Sequence, residues 1–236
     1  MRMRKKKNGE KRLMECGEFL YRHEGAPLSD PAAVFGKSGM PVYLEIGAGK
    51  GGFATGMVAK NPDVCYFAME RVSDCVTLAA EKAKSLELSD SLRFIVDTAD
   101  NLTYIFGEGT VDKMFLNFSD PWSKKGYAKR RLTHRRYLAV YMNLLADGGT
   151  LTFKTDNVGL FDFTLLEIEA MGLVPQKLTR DLHASEWMAD NVVTEYERNF
   201  SEQGMKINMV EIKKPEGYSV EIPAELSKDR LIVQRK

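Results

Sequence analysis

The sequence predicts an α/β fold in which a parallel sheet is wrapped by helices. Three observations carry that reading. From residue 42 onward short apolar runs alternate with helical patterns, a glycine cluster follows the first of these runs, and acidic residues recur where the runs end. Sheets of this kind bind ligands outside the carboxyl ends of their strands, so chemistry is sought immediately after each strand.

The first strand is read at 42–46, Val-Tyr-Leu-Glu-Ile, bounded by Pro41 and by glycines. A helix is expected at 53–60, a strand at 65–69, a helix at 73–86 and a strand at 92–96. A further strand is expected at 113–118 and a long helix at 133–145. The Asp147-Gly148-Gly149 turn then leads to a strand at 150–154. No repeat or low-complexity block interrupts the pattern. The expected organisation is a basic arm and lead-in at 1–40, one domain at 41–212 and an extension of unassigned role at 213–236.

A chain of 236 residues with 44% hydrophobic content suffices for one packed core. Three scattered cysteines, Cys16, Cys65 and Cys75, lack C-x-x-C spacing, which argues against a disulfide framework or a zinc site. The three histidines show no ligand spacing, so no metal centre and no histidine-based nucleophile is expected. No apolar stretch reaches membrane-spanning length, and the basic start lacks the apolar segment of a secretory signal. A cytoplasmic, non-membrane protein is therefore expected, its oligomeric state open between monomer and homodimer.

The net charge of +1 conceals segregation. Residues 1–12 and 124–136 together hold 14 of the 34 basic residues and one of the 33 acids, leaving an acidic remainder. A local positive field on an acidic body suits a polyanion-binding face, because it releases counterions from phosphates without general stickiness.

At the strand ends, Glu45-Ile46-Gly47-Ala48-Gly49-Lys50-Gly51-Gly52 combines a tight glycine turn with an acid two residues before the first glycine. Gly47, Gly49 and Gly52 also satisfy the dinucleotide pattern G-x-G-x-x-G. Glu45 favours a cationic ligand such as S-adenosylmethionine over a pyrophosphate. Glu70 stands where a carboxylate accepts bonds from ribose hydroxyls, and Asp97, Thr98 and Asp100 stand at the adenine level, with the contacting side chain among them left open. After the fourth strand, Asn117-Phe118-Ser119-Asp120-Pro121-Trp122 projects an acid beside an aromatic residue. Pro121 holds Asp120 extended, and Trp122 offers a face for a base. Lys154-Thr155-Asp156-Asn157 and Thr194-Glu195-Tyr196-Glu197 add further carboxylates, suited to the donor-bearing edge of guanine.

With these segments in hand, the chain resembles the bacterial tRNA (guanine-N7-)-methyltransferases. The resemblance is carried by the glycine segment, by Leu116 through Trp122, by Lys129-Arg130-Arg131-Leu132-Thr133, by Phe153 through Asn157 and by Thr194 through Glu197, from the N-terminus to about Glu211. It implies a Rossmann-like class I fold with a mostly parallel seven-stranded sheet. It also implies transfer of a methyl group from S-adenosylmethionine to N7 of a tRNA guanine, the one in the variable loop. Glu45, Gly47, Gly49, Glu70, Asp97, Thr98 and Asp120 are implied as cofactor contacts, with Asp120 the catalytic candidate. Lys124, Asp156, Thr194, Glu195, Tyr196 and Glu197 are implied as substrate contacts, and Lys125, Lys129, Arg130 and Arg131 as RNA contacts. Ser123, Gly126 and Tyr127 stand where the family has proline, arginine and histidine, so this loop is less basic. Two other readings fit parts of the sequence: an NAD-dependent oxidoreductase, against which no Tyr-x-x-x-Lys pair occurs, and a non-catalytic RNA-binding protein that kept the fold.

Overall fold

The computed structural model describes residues 8–227; of the basic run at 1–12, Arg2, Arg4, Lys5, Lys6 and Lys7 lie outside the described residues. From Val42 to Val96 the chain lays down β1 (Val42–Ile46), α2 (Gly52–Lys60), β2 (Cys65–Glu70), α3 (Ser73–Ser85) and β3 (Leu92–Val96), preceded by a short α1 (Gly9–Met14). It continues through α4 (Leu102–Ile105), β4 (Val111–Asn117), α5 (Arg135–Leu144), β5 (Leu145–Thr155), α6 (Val158–Ala170), β6 (Pro175–Thr179), α7 (Glu195–Ser201) and β7 (Asn208–Lys213). The strands form one seven-stranded sheet in the order β3-β2-β1-β4-β5-β7-β6. The first five run parallel, and β7 enters antiparallel to both β5 and β6. The mostly parallel α/β fold expected from the sequence is the fold observed.

Strand alternation divides the sheet into two apolar faces. Val42, Leu44 and Ile46 join one core with Leu138, Tyr141 and Phe161, whereas Tyr43 packs on the opposite face with Phe53, Tyr66 and Phe115. Glu45 shares the face of Tyr43 and is therefore drawn into an apolar layer. α5 forms because Tyr137, Leu138, Tyr141, Met142 and Leu144 recur at helical spacing; each such side chain, fully buried, contributes about 1.5–3 kcal/mol.

Two boundaries differ from the sequence expectation for identifiable reasons. β4 stops at Asn117 because Phe118 takes a left-handed conformation, φ 52°, that no strand accommodates. β5 begins at Leu145, so the Asp147-Gly148-Gly149 turn lies within it as a bulge. Val111 pairs with Leu145 and Lys113 with Thr150, and Gly148 absorbs the extra chain at φ 78°.

The lead-in is part of the packed body. Cys16 and Phe19 are buried beside α3, Arg12 grips Glu81 with two hydrogen bonds of 2.7 and 2.6 Å, and Leu20 bridges to Phe94 on the β3 edge. Among the described residues, no helix is long and apolar enough to cross a membrane.

Candidate functional site

A cavity of about 560 Å³ opens where β1, β2, β3 and β4 end. Its lining includes Gly47, Glu70, Asp97, Thr98, Asp100, Asn117 and Asp120, so most of the acids expected at the strand ends converge on one space. A larger cavity of about 890 Å³, between α1 and β3, meets the first only at Asp97 and includes neither the glycine turn nor Glu70 or Asp120. The smaller one is the candidate site, because its lining joins these acids to Gly47 of the glycine turn.

The floor of the site is the β1–α2 turn. Gly47 and Ala48 donate backbone hydrogen bonds to Met69 O at 2.8 and 3.0 Å, and Gly49 donates to Oε2 of Glu70 at 3.1 Å. Glu70 also accepts from Val72 N at 2.9 Å, so its carboxylate fixes the glycine turn and the end of β2 at once. Gly47, Gly49 and Gly51 all hold left-handed φ, at 84°, 54° and 72°, and at Gly51 a Cβ would also sit 2.7 Å from that of Ala79. Gly52, the third glycine of the dinucleotide pattern, lies within α2 without a left-handed φ. This loop is thus shaped for close packing of α2 on α3.

Glu45 lies just beneath the cavity. Its side chain is buried, Oε1 accepts from Asn117 Nδ2 at 3.0 Å, and the buried Tyr66 hydroxyl acts on the same carboxylate. Asn117 Oδ1 is buried without a partner, and Asn117 lines the cavity. Desolvation pushes the Glu45 carboxyl up to about 7, against the opposing pull of Asn117 and the Lys154 ammonium. Sequence reasoning missed Asn117; the one signal for it was a polar residue closing an apolar strand.

Around Asp120 the backbone is held in an unusual path. Phe118 and Trp122, on either side of Ser119-Asp120-Pro121, have φ of 52° and 41°, a costly conformation for bulky residues. The loop is pinned by Arg131, which donates to Pro121 O at 3.0 Å and Trp122 O at 3.2 Å. Arg130 lies over the rings of Trp122 and Tyr127, which meet edge to face. Asp120 itself is exposed, with Arg71 at 3.5 Å. Of the basic residues expected on RNA, Lys124, Lys125, Lys129 and Arg130 are exposed, and Arg131 has this bracing task.

At the adenine level, Asp97 Oδ1 accepts from Thr98 N and from Asn101 Nδ2. Asp100 Oδ1 accepts from the Tyr137 hydroxyl at 2.7 Å and from Arg136 at 3.3 Å. The Tyr137 hydroxyl is pushed up to about 12, by burial first and then by its bond to Asp100. Neither Arg136 nor Tyr137 was singled out from the sequence.

The Thr194–Glu197 segment opens α7. Thr194 caps the helix, its hydroxyl accepting from Glu197 N at 2.9 Å; the Thr-x-x-Glu spacing was the signal for this cap. Glu195 is exposed and pairs with Lys82, and Tyr196 stacks between Phe118 and Phe200, with ring centroids 4.8 and 4.2 Å apart. Asp156 lies close enough to raise the Tyr196 hydroxyl, second to burial. Glu197 does not face outward. Its carboxylate is enclosed by Lys154 Nζ at 2.8 Å, His183 Nε2 at 2.8 Å and Asn191 Nδ2 at 2.6 Å, so it is held among these side chains. Phe118 joins the two halves of the site: it lines the cavity and touches Tyr196.

A family model described as "Putative methyltransferase" matches residues 39–210. A tRNA (guanine-N(7)-)-methyltransferase of Streptococcus pyogenes serotype M6 is 39% identical over 211 residues, 89% of this chain and 99% of that protein. Its counterpart in Lysinibacillus sphaericus is 38% identical, covering 89% of this chain and 97% of that protein. Among solved structures, the 16S rRNA methyltransferase KamB superposes with a TM-score of 0.57 at 11% identity, over 74% of this chain and 88% of that one. Geranyl diphosphate C-methyltransferase from Streptomyces coelicolor A3(2), solved with S-adenosyl-L-homocysteine, gives 0.52 at 14% identity, over 87% and 98%. The structural likenesses speak to the fold alone.

Proposed function

This chain belongs to the tRNA (guanine-N(7)-)-methyltransferase family, and from that premise we propose that the guanine it modifies is the one in the tRNA variable loop. It is an S-adenosylmethionine-dependent enzyme that methylates N7 of guanine in tRNA. The observation that carries the reading of the site is the acid-lined cavity at the strand ends, with the buried acceptor Asn117 Oδ1 in its wall and the Glu45 carboxyl bonded behind it.

The residues present fit the methyl donor. A space of about 560 Å³ lies within the roughly 300–1,000 Å³ usual for a cofactor site, and its charge suits a ligand bearing ammonium and sulfonium groups. Glu70 is assigned to the ribose hydroxyls, Asp97, Thr98 and Asp100 to the adenine level, and Glu45 with Asn117 to the cationic amino-acid end. Gly47 and Gly49 supply the closely approached turn. When bound, S-adenosylmethionine supplies a methyl group made electrophilic by its sulfonium.

Guanine N7 carries a free lone pair, so the protein has no proton to remove and no general base is required. Its task is to hold the attacking nitrogen in line and to face the positive charge that arrives on the purine. Asp120 is assigned that second role: it is exposed at the cavity mouth, and the pinned Phe118–Trp122 path fixes its position. Lys124, Asp156, Thr194, Glu195 and Tyr196 are assigned to the nucleotide, with Phe118, which lines the cavity and is backed by Tyr196, as the aromatic neighbour of the base. Glu197 supports these contacts from within by fixing α7. Lys125, Lys129 and Arg130 present the positive face for the tRNA backbone.

A set of tRNA transcripts tests the site of modification. Replacing the variable-loop guanine with adenine should abolish methyl incorporation, and full incorporation into that transcript would refute the assignment.

A further inference from the structure

Beyond β7 the chain does not leave the domain. Lys214 is buried and donates to Leu145 O at 2.8 Å, the Tyr218 hydroxyl donates to Met171 O at 2.9 Å, and Asn143 Nδ2 donates to Val220 O at 2.8 Å. Val220 and Ile222 pack against the main core, and Leu226, at 2% exposure, enters it. The Thr103 hydroxyl on α4 then donates to Leu226 O at 2.7 Å in a buried bond, and Tyr104 reaches Ser227 O at 3.4 Å. Side by side with this anchor, Glu225 lies 3.7 Å from Arg136 Nη1, while Nη2 of the same guanidinium holds Asp100 at 3.3 Å.

These contacts converge on one place. Residues 99–105, which follow the Asp97-Thr98 edge of the cavity, are gripped from α5 by Arg136 and Tyr137 and from the C-terminal segment by Leu226, while Glu225 reaches them through Arg136. We propose that residues 214–227 are a positioning element for the cofactor: they clamp the turn that carries Asp97, Thr98 and Asp100 and so preorganise the adenine end of the cavity. The proposal rests on the reading of that cavity as the S-adenosylmethionine site. Leu226 provides the anchor, because a buried apolar side chain with a hydrogen-bonded carbonyl fixes the segment on α4. The partly exposed Glu225–Arg136 pair adds direction more than strength, orienting the guanidinium fork toward Asp100. A clamp of this kind lowers the ordering cost at binding without touching the ligand.

The test is binding of S-adenosyl-L-homocysteine by calorimetry to the full chain, to a chain ending at residue 221, and to Leu226→Ala and Glu225→Gln in the full chain, with tRNA affinity measured in parallel. The shortened chain should bind the probe roughly fivefold more weakly, Leu226→Ala less so and in the same direction, while tRNA affinity stays within about twofold. A purely structural role predicts lowered melting temperature with unchanged probe affinity, and that result, in Leu226→Ala if the shortened chain fails to fold, overturns the proposal. Failure of the full chain itself to bind the probe would instead strike the cofactor reading beneath it.

Discussion

The Nζ of Lys154 lies 2.8 Å from Oε2 of Glu197, with the two side chains 3% and 0% exposed. Lys154 spends its other bonds on Asn191 Oδ1 at 2.8 Å and Val192 O at 3.2 Å, so one buried ammonium ties β5 to the segment leading into α7. Burial lowers the lysine, opposed by Glu197. Burial alone would raise the Glu197 carboxyl, but Lys154, His183 and Asn191 outweigh it and hold it below the usual carboxylate range. This contact fastens the start of α7 to the sheet.

Removing one partner strands the other charge. Glu197→Ala should destabilise the protein by about 3–5 kcal/mol in urea unfolding, because an unpaired buried ammonium remains. Replacing both partners, as in Lys154→Met with Glu197→Leu, should recover much of that stability. Equal losses in the single and double variants would contradict the coupling.

Asp120→Ala should lower kcat by about 10²–10³-fold with near-wild-type circular dichroism, the range expected when a fixed charge facing the transition state is removed. Assays with labelled S-adenosylmethionine and saturating tRNA read this directly. Near-normal turnover would leave Asp120 without the role assigned to it.

Glu45 predicts a pH dependence. Its carboxyl stands near 7 in the fold against an ordinary value of 4.5, so between these values the folded state keeps a proton that the unfolded chain has lost. Stability of the ligand-free protein should therefore fall as pH rises through this window. Glu45→Gln should relieve that penalty at pH 8 by on the order of 2–3 kcal/mol in urea unfolding. The groups acting on Glu45 are Asn117 on β4, Lys154 on β5, and Tyr66 and Glu70 on β2. A cationic ligand favours the ionised form, so affinity for S-adenosylmethionine should weaken below pH 7 with proton release on binding. Calorimetry in buffers of different ionisation enthalpy checks this, and an unchanged slope in Glu45→Gln would contradict it.

Neutralising Lys125, Lys129 and Arg130 should weaken tRNA binding and reduce the slope of log K against log salt by roughly 0.7–0.9 for each phosphate that no longer meets a cation. Affinity for S-adenosylmethionine should be unaffected. Arg131→Ala belongs in a separate measurement, because this residue braces Pro121 and Trp122 and should reduce turnover as well.

The strand-end acids were legible in the sequence because short apolar runs fix where strands stop, and Glu70, Asp97 and Asp120 reach the cavity, as does Thr98. The opening strand at 42–46 and the third at 92–96 were read to the residue. Pattern reading failed where tertiary contact decides. The Asp147-Gly148-Gly149 stretch has turn composition, yet pairing of Val111 with Leu145 turns it into a bulge. Glu197 reads as a solvated helix acid, and only Lys154, 43 positions away, shows why it is buried. The segment after residue 213 carries no periodic signal, and its docking depends on single anchors such as Leu226 that local sequence cannot reveal.

The most direct measurement incubates unmodified tRNA with labelled S-adenosylmethionine and this protein, then cleaves the product chemically at N7-methylguanine. The account predicts label incorporation together with a single strand break at the variable-loop guanine. Incorporation without cleavage would place the methyl group on another atom, and absence of incorporation would contradict methyl transfer itself.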